Sequence, residues 1–335
     1  MIPESVFSPQ SQHWKVSLST SFRQVRALLK YCELENAFPE ISNDAGFPFR
    51  LTHYYASLIE KGNDQDPLLL QVIPRAQELE EQTGYALDAV GDLPAMPIPG
   101  LIHKYHGRAL LTLTAACAIH CRYCFRRHFP YHEANIDTSS DSEIIKYLTQ
   151  HTEISEVILS GGDPLMLSDH KLLQIIENLN RIPHIRILRI HSRLLSVLPE
   201  RVDDEFIEVF SQFDGQVVFV THINHAQEIS ELNQRAFAQL KNQGYTLLNQ
   251  SVLLKGVNNE VDTLRDLSFK LFSSQILPYY LHRLDKVQGA AHFDISRKDS
   301  CALYKNLQKA LPGYLLPRLV EEIPEQYSKT LSHCE

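Results

Sequence analysis

Between residues 108 and 283 the chain repeats one unit, a short apolar β-rich run followed by an amphipathic helical segment. The runs are Arg108–Ala115, Glu156–Ser160, Ile185–His191, Gln216–His222, Tyr245–Ser251 and Pro278–Arg283. The helical segments between them are Ser142–Gln150, Asp169–Asn180, Asp203–Phe213, Ala226–Gln243 and Glu260–Phe272. Near-continuous apolar strands that alternate with helices predict a parallel sheet covered on its faces. Steps of about 30 residues match one βα unit. Six of them build an open doubly wound sheet or a curved partial barrel, and periodicity does not choose between the two. In both, chemistry belongs at the C-terminal ends of the strands.

The flanks differ. Residues 1–95 read as a mostly helical region, with helices expected at Phe22–Leu34 and Tyr54–Lys61. The run Gly91-Asp92-Leu93-Pro94-Ala95-Met96-Pro97-Ile98-Pro99-Gly100 reads as a linker into the α/β core, taken as 96–300. The segment 301–335 has no strong period from Pro312 onward and reads as closing over the core. A total of 335 residues suits two domains or one barrel with additions.

Charge and hydropathy exclude two partner classes. With 32 basic and 40 acidic residues the net charge is −8, and the basic cluster Arg126-Arg127-His128 is too short for a nucleic-acid platform. No apolar stretch approaches a membrane span. The start MIPESVFSPQ has no basic region followed by an apolar one, so a cytoplasmic location is expected.

The strand ends are polar: Ser160-Gly161-Gly162-Asp163, His191-Ser192-Arg193, Thr221-His222-Ile223-Asn224-His225, Asn249-Gln250-Ser251 and His282-Arg283-Leu284-Asp285. Directly after the first run stands Cys117-Ala118-Ile119-His120-Cys121-Arg122-Tyr123-Cys124, a C-x3-C-x2-C spacing. The other cysteines, Cys32, Cys301 and Cys334, lie far off in the chain, and a disulfide framework is not expected in a long chain of a reducing compartment. Three thiolates on one loop suit an iron–sulfur cube with one iron left open for a small molecule. The competing reading is a zinc site completed by His120 or His128.

These motifs carry a resemblance. Cys117–Arg127 (CAIHCRYCFRR), Leu159–Leu165 (LSGGDPL), Thr221–His225 (THINH), Asn249–Val257 (NQSVLLKGV) and Tyr314–Lys329 stand in the order found in the lysine 2,3-aminomutase family of radical S-adenosylmethionine enzymes. The resemblance runs from about His103 to Lys329. KYHGRALL before the cysteines and CFRRHFPY after them are most similar to the bacterial branch that makes β-lysine for elongation factor P.

The resemblance implies a partial (β/α)6 radical SAM barrel with an N-terminal helical region and a C-terminal segment that binds pyridoxal 5′-phosphate. It implies an isomerase that converts L-α-lysine to β-lysine through a radical derived from S-adenosylmethionine. Cys117, Cys121 and Cys124 are expected to hold a [4Fe–4S] cluster. Gly161, Gly162, Asp163, His222 and Gln250 are expected around S-adenosylmethionine. Lys329 is expected to carry pyridoxal phosphate, helped by Lys104, Tyr105 and Arg108. Arg126 is expected on the substrate carboxylate, and Asp285 with Glu322 on the side-chain ammonium.

The implied partners are lysine, a cellular one-electron reductant, and elongation factor P with its lysine ligase. Three departures stand out: Lys104 where arginine is common, Glu322 where aspartate is common (with Glu321 or Glu325 as neighbours able to substitute), and the glycine-free loop Pro324–Ser328 before Lys329. The same resemblance also fits a lysine 2,3-aminomutase of lysine metabolism, or an aminomutase for another cationic amino acid. A reading of another class is a non-catalytic iron–sulfur redox sensor, which has no use for Lys329.

Overall fold

A hairpin starts the sheet: β1 (Leu101–Tyr105) runs antiparallel to β2 (Arg108–Thr112). From β2 every strand is parallel to the next: β3 (Glu156–Ser160), β4 (Ile187–Ser192), β5 (Gln216–Thr221), β6 (Thr246–Val252), β7 (Leu277–His282) and β8 (Arg318–Glu321). β9 (Thr330–Leu331) closes the far edge antiparallel to β8. Among the described residues nine strands lie in chain order. This computed structural model describes residues 13–38, 46–133, 138–139, 142–324, 326–332 and 334. The start MIPESVFSPQ and Glu325 lie outside the described residues.

The helices are α1 (His13–Ser19), α2 (Val25–Tyr31), α3 (His53–Ser57), α4 (Pro67–Leu70), α5 (Glu143–Gln150), α6 (Asp169–Asn180), α7 (Leu194–Val197), α8 (Asp204–Ser211), α9 (Glu231–Asn242), α10 (Val261–Ser273) and α11 (Arg297–Ala310). All six expected strands and four of the five expected core helices are present within a few residues, the Ala226–Gln243 segment being the exception. That segment splits: Ala226–Glu228 forms a 3₁₀ turn, and Ser230 then caps α9 by accepting from Leu232 N. Helices α6, α8 and α10 send Ile176, Phe206, Phe210 and Leu267 against strand residues such as Leu188, Phe219 and Leu247, all essentially buried.

The N-terminal helices are not a separate core. Trp14, Leu28, Tyr55 and Leu68 belong to the same buried cluster as the sheet residues Leu111, Val157 and Phe219. The expected helix Phe22–Leu34 is shorter, with α2 stopping at Cys32. The second begins at His53 because the Thr52 hydroxyl accepts from Tyr55 N.

The sheet curls. Tyr105 at the end of β1 donates its hydroxyl to Glu322, just past β8, so the two borders of the sheet approach at one end. That decides the question periodicity left open: the architecture is a curved, open barrel with its concave side inward. α11 runs across position 300, so the segment from 301 onward starts inside a helix.

The cysteine expectation needs one correction. Cys301 on α11 is disulfide-bonded to Cys334, with Cα atoms 5.1 Å apart. Sequence distance hid this, because β8 and β9 fold the tail back beside α11. Cys32, Cys117, Cys121 and Cys124 are free. Among the described residues no helix is long and apolar enough to cross a membrane.

Candidate active site

The barrel encloses a cavity of about 420 Å³, and all fifteen candidate residues named from the sequence line it. They fall into three groups along its wall: the cysteine loop, the turn after β3 with the ends of β5 and β6, and the edge strands with Lys329.

The cysteine loop leaves the C-terminal end of β2. Arg193, just past β4, donates from Nη1 to Cys121 Sγ at 2.9 Å, and its other nitrogen reaches Gln71 (2.7 Å) and Glu228 (3.2 Å). Burial pushes the Cys124 thiol up to about 11. Burial, then Asp163 and the two neighbouring thiols, push Cys117 well above its ordinary value. Thiolates at Cys117 and Cys124 therefore persist here only with a compensating cation, which is the chemistry of a metal-bound set.

A single tetrahedral zinc draws its sulfurs to about 3.8 Å apart, given Zn–S near 2.3 Å. Among the described residues the set whose ligand atoms all lie within 4.8 Å is His103, His151 and Glu153, on the far side of β1, and not the cysteines. A wider multi-iron cluster fits the three thiols better. His128 is exposed and faces the Gln288 carbonyl at 3.1 Å. His120 lies within the cavity wall, and burial lowers it to about 4.

The turn after β3 shows why it needs glycine. A Cβ on Gly161, whose φ is +128°, would sit 2.7 Å from the Thr114 carbonyl, and one on Gly162 would sit 2.6 Å from the Ala116 carbonyl. Gly162 N and Asp163 N donate to those same two carbonyls at 2.6 and 2.8 Å. Asp163 braces the next strand end, accepting from Ser192 Oγ (2.8 Å), Arg193 N (2.9 Å) and Leu194 N (2.9 Å). Burial raises its pKa to about 6. Gln250 Nε2 contacts His222 Nε2 at 2.8 Å, and burial, with nearby cations, lowers His222 to about 3. The neighbouring His191 has a buried Nε2 with no hydrogen-bond partner, facing the same cavity. An orphaned buried donor in a cavity wall is what a polar ligand satisfies.

At the third group Arg126 and Lys104 share one carboxylate. Arg126 Nε donates to Asp92 Oδ2 at 2.8 Å and Lys104 Nζ reaches Asp92 Oδ1 at 2.6 Å. Arg126 Nη1 also reaches Ser160 Oγ at 2.9 Å. Arg127 instead pairs with Glu78 at 2.8 Å and serves the structure. Arg108 lies over the Tyr105 ring, 4.6 Å from its centre.

Glu322 meets Tyr105, Lys104 at 3.5 Å and Lys329 at 3.8 Å. Glu321 turns the other way to Arg283 at 2.7 Å, so it cannot replace Glu322 here. Burial first, then Glu322, pushes Asp285 up to about 7. Burial lowers Lys329 to about 8 against the pull of Glu322 and Asp285.

Sequence reasoning missed Asp92 and His282. Asp92 stood inside the proline-rich linker, where no local signal marks it as a partner for Arg126. His282 was seen only as a polar strand end, yet its Nε2 lies 3.0 Å from Lys329 Nζ.

Residues 111–267 match the model of the Radical SAM superfamily. The chain is 44% identical to an L-lysine 2,3-aminomutase of Haemophilus influenzae, covering 99% of this chain and 98% of that protein. It is 41% identical to one of Escherichia coli, covering 96% and 95%. It is 34% identical to one of Clostridium subterminale, covering 95% and 77%. A crystal structure of Streptococcus suis SuiB bound to S-adenosylmethionine superposes with a TM-score of 0.47 at 13% identity, over 66% of this chain and 51% of that one.

Proposed function

Because the chain belongs to the L-lysine 2,3-aminomutase family of the radical SAM superfamily, we propose that it converts L-α-lysine to β-lysine with pyridoxal phosphate on Lys329, and that the product serves the modification of elongation factor P. The observation that carries the reading is a charge pattern within one cavity. A guanidinium, Arg126, stands on one part of the wall, and two acids, Asp285 and Glu322, surround an amine, Lys329, on another. A substrate with a carboxylate at one end and an ammonium at the other matches it.

Cys117, Cys121 and Cys124 would hold a [4Fe–4S] cluster, which would supply the electron for reductive cleavage of S-adenosylmethionine. Lys329 would hold pyridoxal phosphate, which would supply an aldehyde for the α-amino group and a π system able to delocalise an unpaired electron. The remaining work falls to the chain's own residues. Gly161 and Gly162 let backbone come close to S-adenosylmethionine, the Asp163 carboxylate keeps that turn in place, and His222 and Gln250 line the same part of the cavity. Arg108 and Lys104 are the cations for the phosphate, and Tyr105 orients Glu322.

Lys329 and Lys104 are the cations now nearest the acid pair. The distal ammonium of lysine would add a further cation beside this buried acid pair. The cavity lies on the concave side of the curved sheet, where its walls would limit access of water to radical species.

The support for elongation factor P as destination is the pair of runs Lys104–Leu111 and Cys124–Tyr131 that flank the cysteines. A reducing cytoplasm with a one-electron donor suits the cluster. The test is anaerobic incubation of reconstituted protein with lysine, S-adenosylmethionine and dithionite, followed by chromatography. β-Lysine is expected, and its absence from a cluster-loaded sample overturns the reading. Loss of the β-lysyl mass on elongation factor P in cells lacking this protein checks the destination.

A further inference from the structure

His282 is buried and placed by backbone. It ends β7, pairs in register with Val252 on β6 and Val320 on β8, and its carbonyl accepts from Leu253 N at 2.8 Å. Val320 in turn pairs with Leu331 on β9, two residues past Lys329. The same ladder therefore sets both ends of the 3.0 Å contact between His282 Nε2 and Lys329 Nζ. Tyr280 places its ring edge against the imidazole and its face 5.3 Å from Nζ.

The charged groups facing Nζ come from several walls. Glu322 and Asp285 favour the ammonium, whereas Arg189 on β4 and Arg108 on β2 oppose it. The imidazole is held well below its ordinary pKa by burial, Lys329 and His222. An ammonium and an imidazolium do not coexist at this separation in a buried site, so near neutrality the pair holds one proton. Glu322 lies farther off, its Oε2 at 3.8 Å from Nζ, and its other oxygen is engaged by Tyr105 and Lys104.

We propose that His282 is a catalytic residue for cofactor attachment, taking from Lys329 the proton that must leave before the amine attacks the aldehyde. This rests on the pyridoxal phosphate reading above. An ammonium N–H proton passes to Nε2, and the freed lone pair on Nζ bonds to the aldehyde carbon. The carbonyl π pair moves to oxygen, which receives protons through the imidazole. Water then leaves with the aldehyde oxygen and two of the three ammonium hydrogens as the C=N bond forms, and the third hydrogen stays on Nζ with the positive charge. His282 begins and ends neutral, and no oxidant or reductant is required.

The test mixes cofactor-free protein with pyridoxal 5′-phosphate at pH 7, quenches with borohydride over time and quantifies the Lys329 peptide. Both His282→Ala and His282→Gln are expected to capture the cofactor about 100-fold more slowly than wild type. Glutamine retains a hydrogen bond to Nζ but cannot relay a proton, so a merely structural role would be rescued by it. Added imidazole is expected to speed His282→Ala in proportion to its concentration and to leave wild type unchanged.

Capture by His282→Gln within twofold of wild type, or a slow His282→Ala that imidazole does not accelerate, overturns the proposal. Acetic anhydride labelling of Lys329 without cofactor, expected to rise with pH through about 8 in wild type, shows that the amine is present and reactive in each variant. Wild-type protein that labels normally yet never captures pyridoxal phosphate on Lys329 fails the cofactor reading itself, and His282 loses its role with it.

Discussion

Arg126 and Asp92 face one another across 2.8 Å in the wall of the cavity, Nε to Oδ2. The pair is buried, with side chains 7% and 4% exposed, and Lys104 shares the same carboxylate. Asp92 therefore fixes the direction of the guanidinium proposed to receive the substrate carboxylate. It does so from a segment that reads as a linker.

Removing one member of a buried charged set leaves the others uncompensated, at a cost of about 3–5 kcal/mol. Asp92→Ala is expected to lose that much stability in urea unfolding and to weaken lysine turnover. Arg126→Lys keeps the charge but not the fork, and lysine turnover is expected to fall roughly 30-fold or more, at about 2 kcal/mol or above. Its S-adenosylmethionine affinity, measured by equilibrium binding, is expected to hold. Equal loss of both would show that Arg126 supports the whole cavity instead.

Gly162→Ala is expected to be costly and Gly313→Ala benign. The first puts a methyl 2.6 Å from a backbone oxygen, whereas the second meets nothing within 4 Å. Overpacking of this kind costs about 1–3 kcal/mol or more. Thermal unfolding of the two variants checks it, and iron content of Gly162→Ala is expected to fall because the clash is with the chain entering the cysteine loop.

Anaerobically reconstituted wild-type protein is expected to bind about four irons per chain. Cys121→Ala is expected to bind almost none and to leave Arg193 without its sulfur partner. Iron–sulfur absorbance retained in that variant removes Cys121 from the ligand set.

Asp285 tests substrate charge and pH together. Its carboxylate favours the ammonium form of Lys329, so Asp285→Asn is expected to move the Lys329 titration below about 8, read by acetic anhydride labelling. In the active enzyme, lysine is expected to be turned over far faster than norleucine, which lacks the distal amine. Equal turnover of the two by wild type leaves Asp285 and Glu322 with a structural role alone.

Much of this was local and therefore visible in the chain. The strand–helix repeat follows from apolar periodicity, and the three cysteines are neighbours on one loop, so spacing alone marked them as candidate metal ligands. Lys329 carried no local signal, and only the order of distant motifs pointed to it. Three features needed the folded chain. The curl of the sheet came from a contact 217 residues apart in sequence, Tyr105 to Glu322. The choice of Glu322 over Glu321 follows from the alternation along β8 and just beyond it, which sends one acid inward and the next to Arg283. The partners of Arg126 and Lys329, Asp92 and His282, belong to segments joined only by packing. Sequence specifies what each short stretch can be. Which buried charge finds which counter-charge is settled where desolvation makes an unpaired ion too costly to keep, and that cost exists only once the barrel has closed around it.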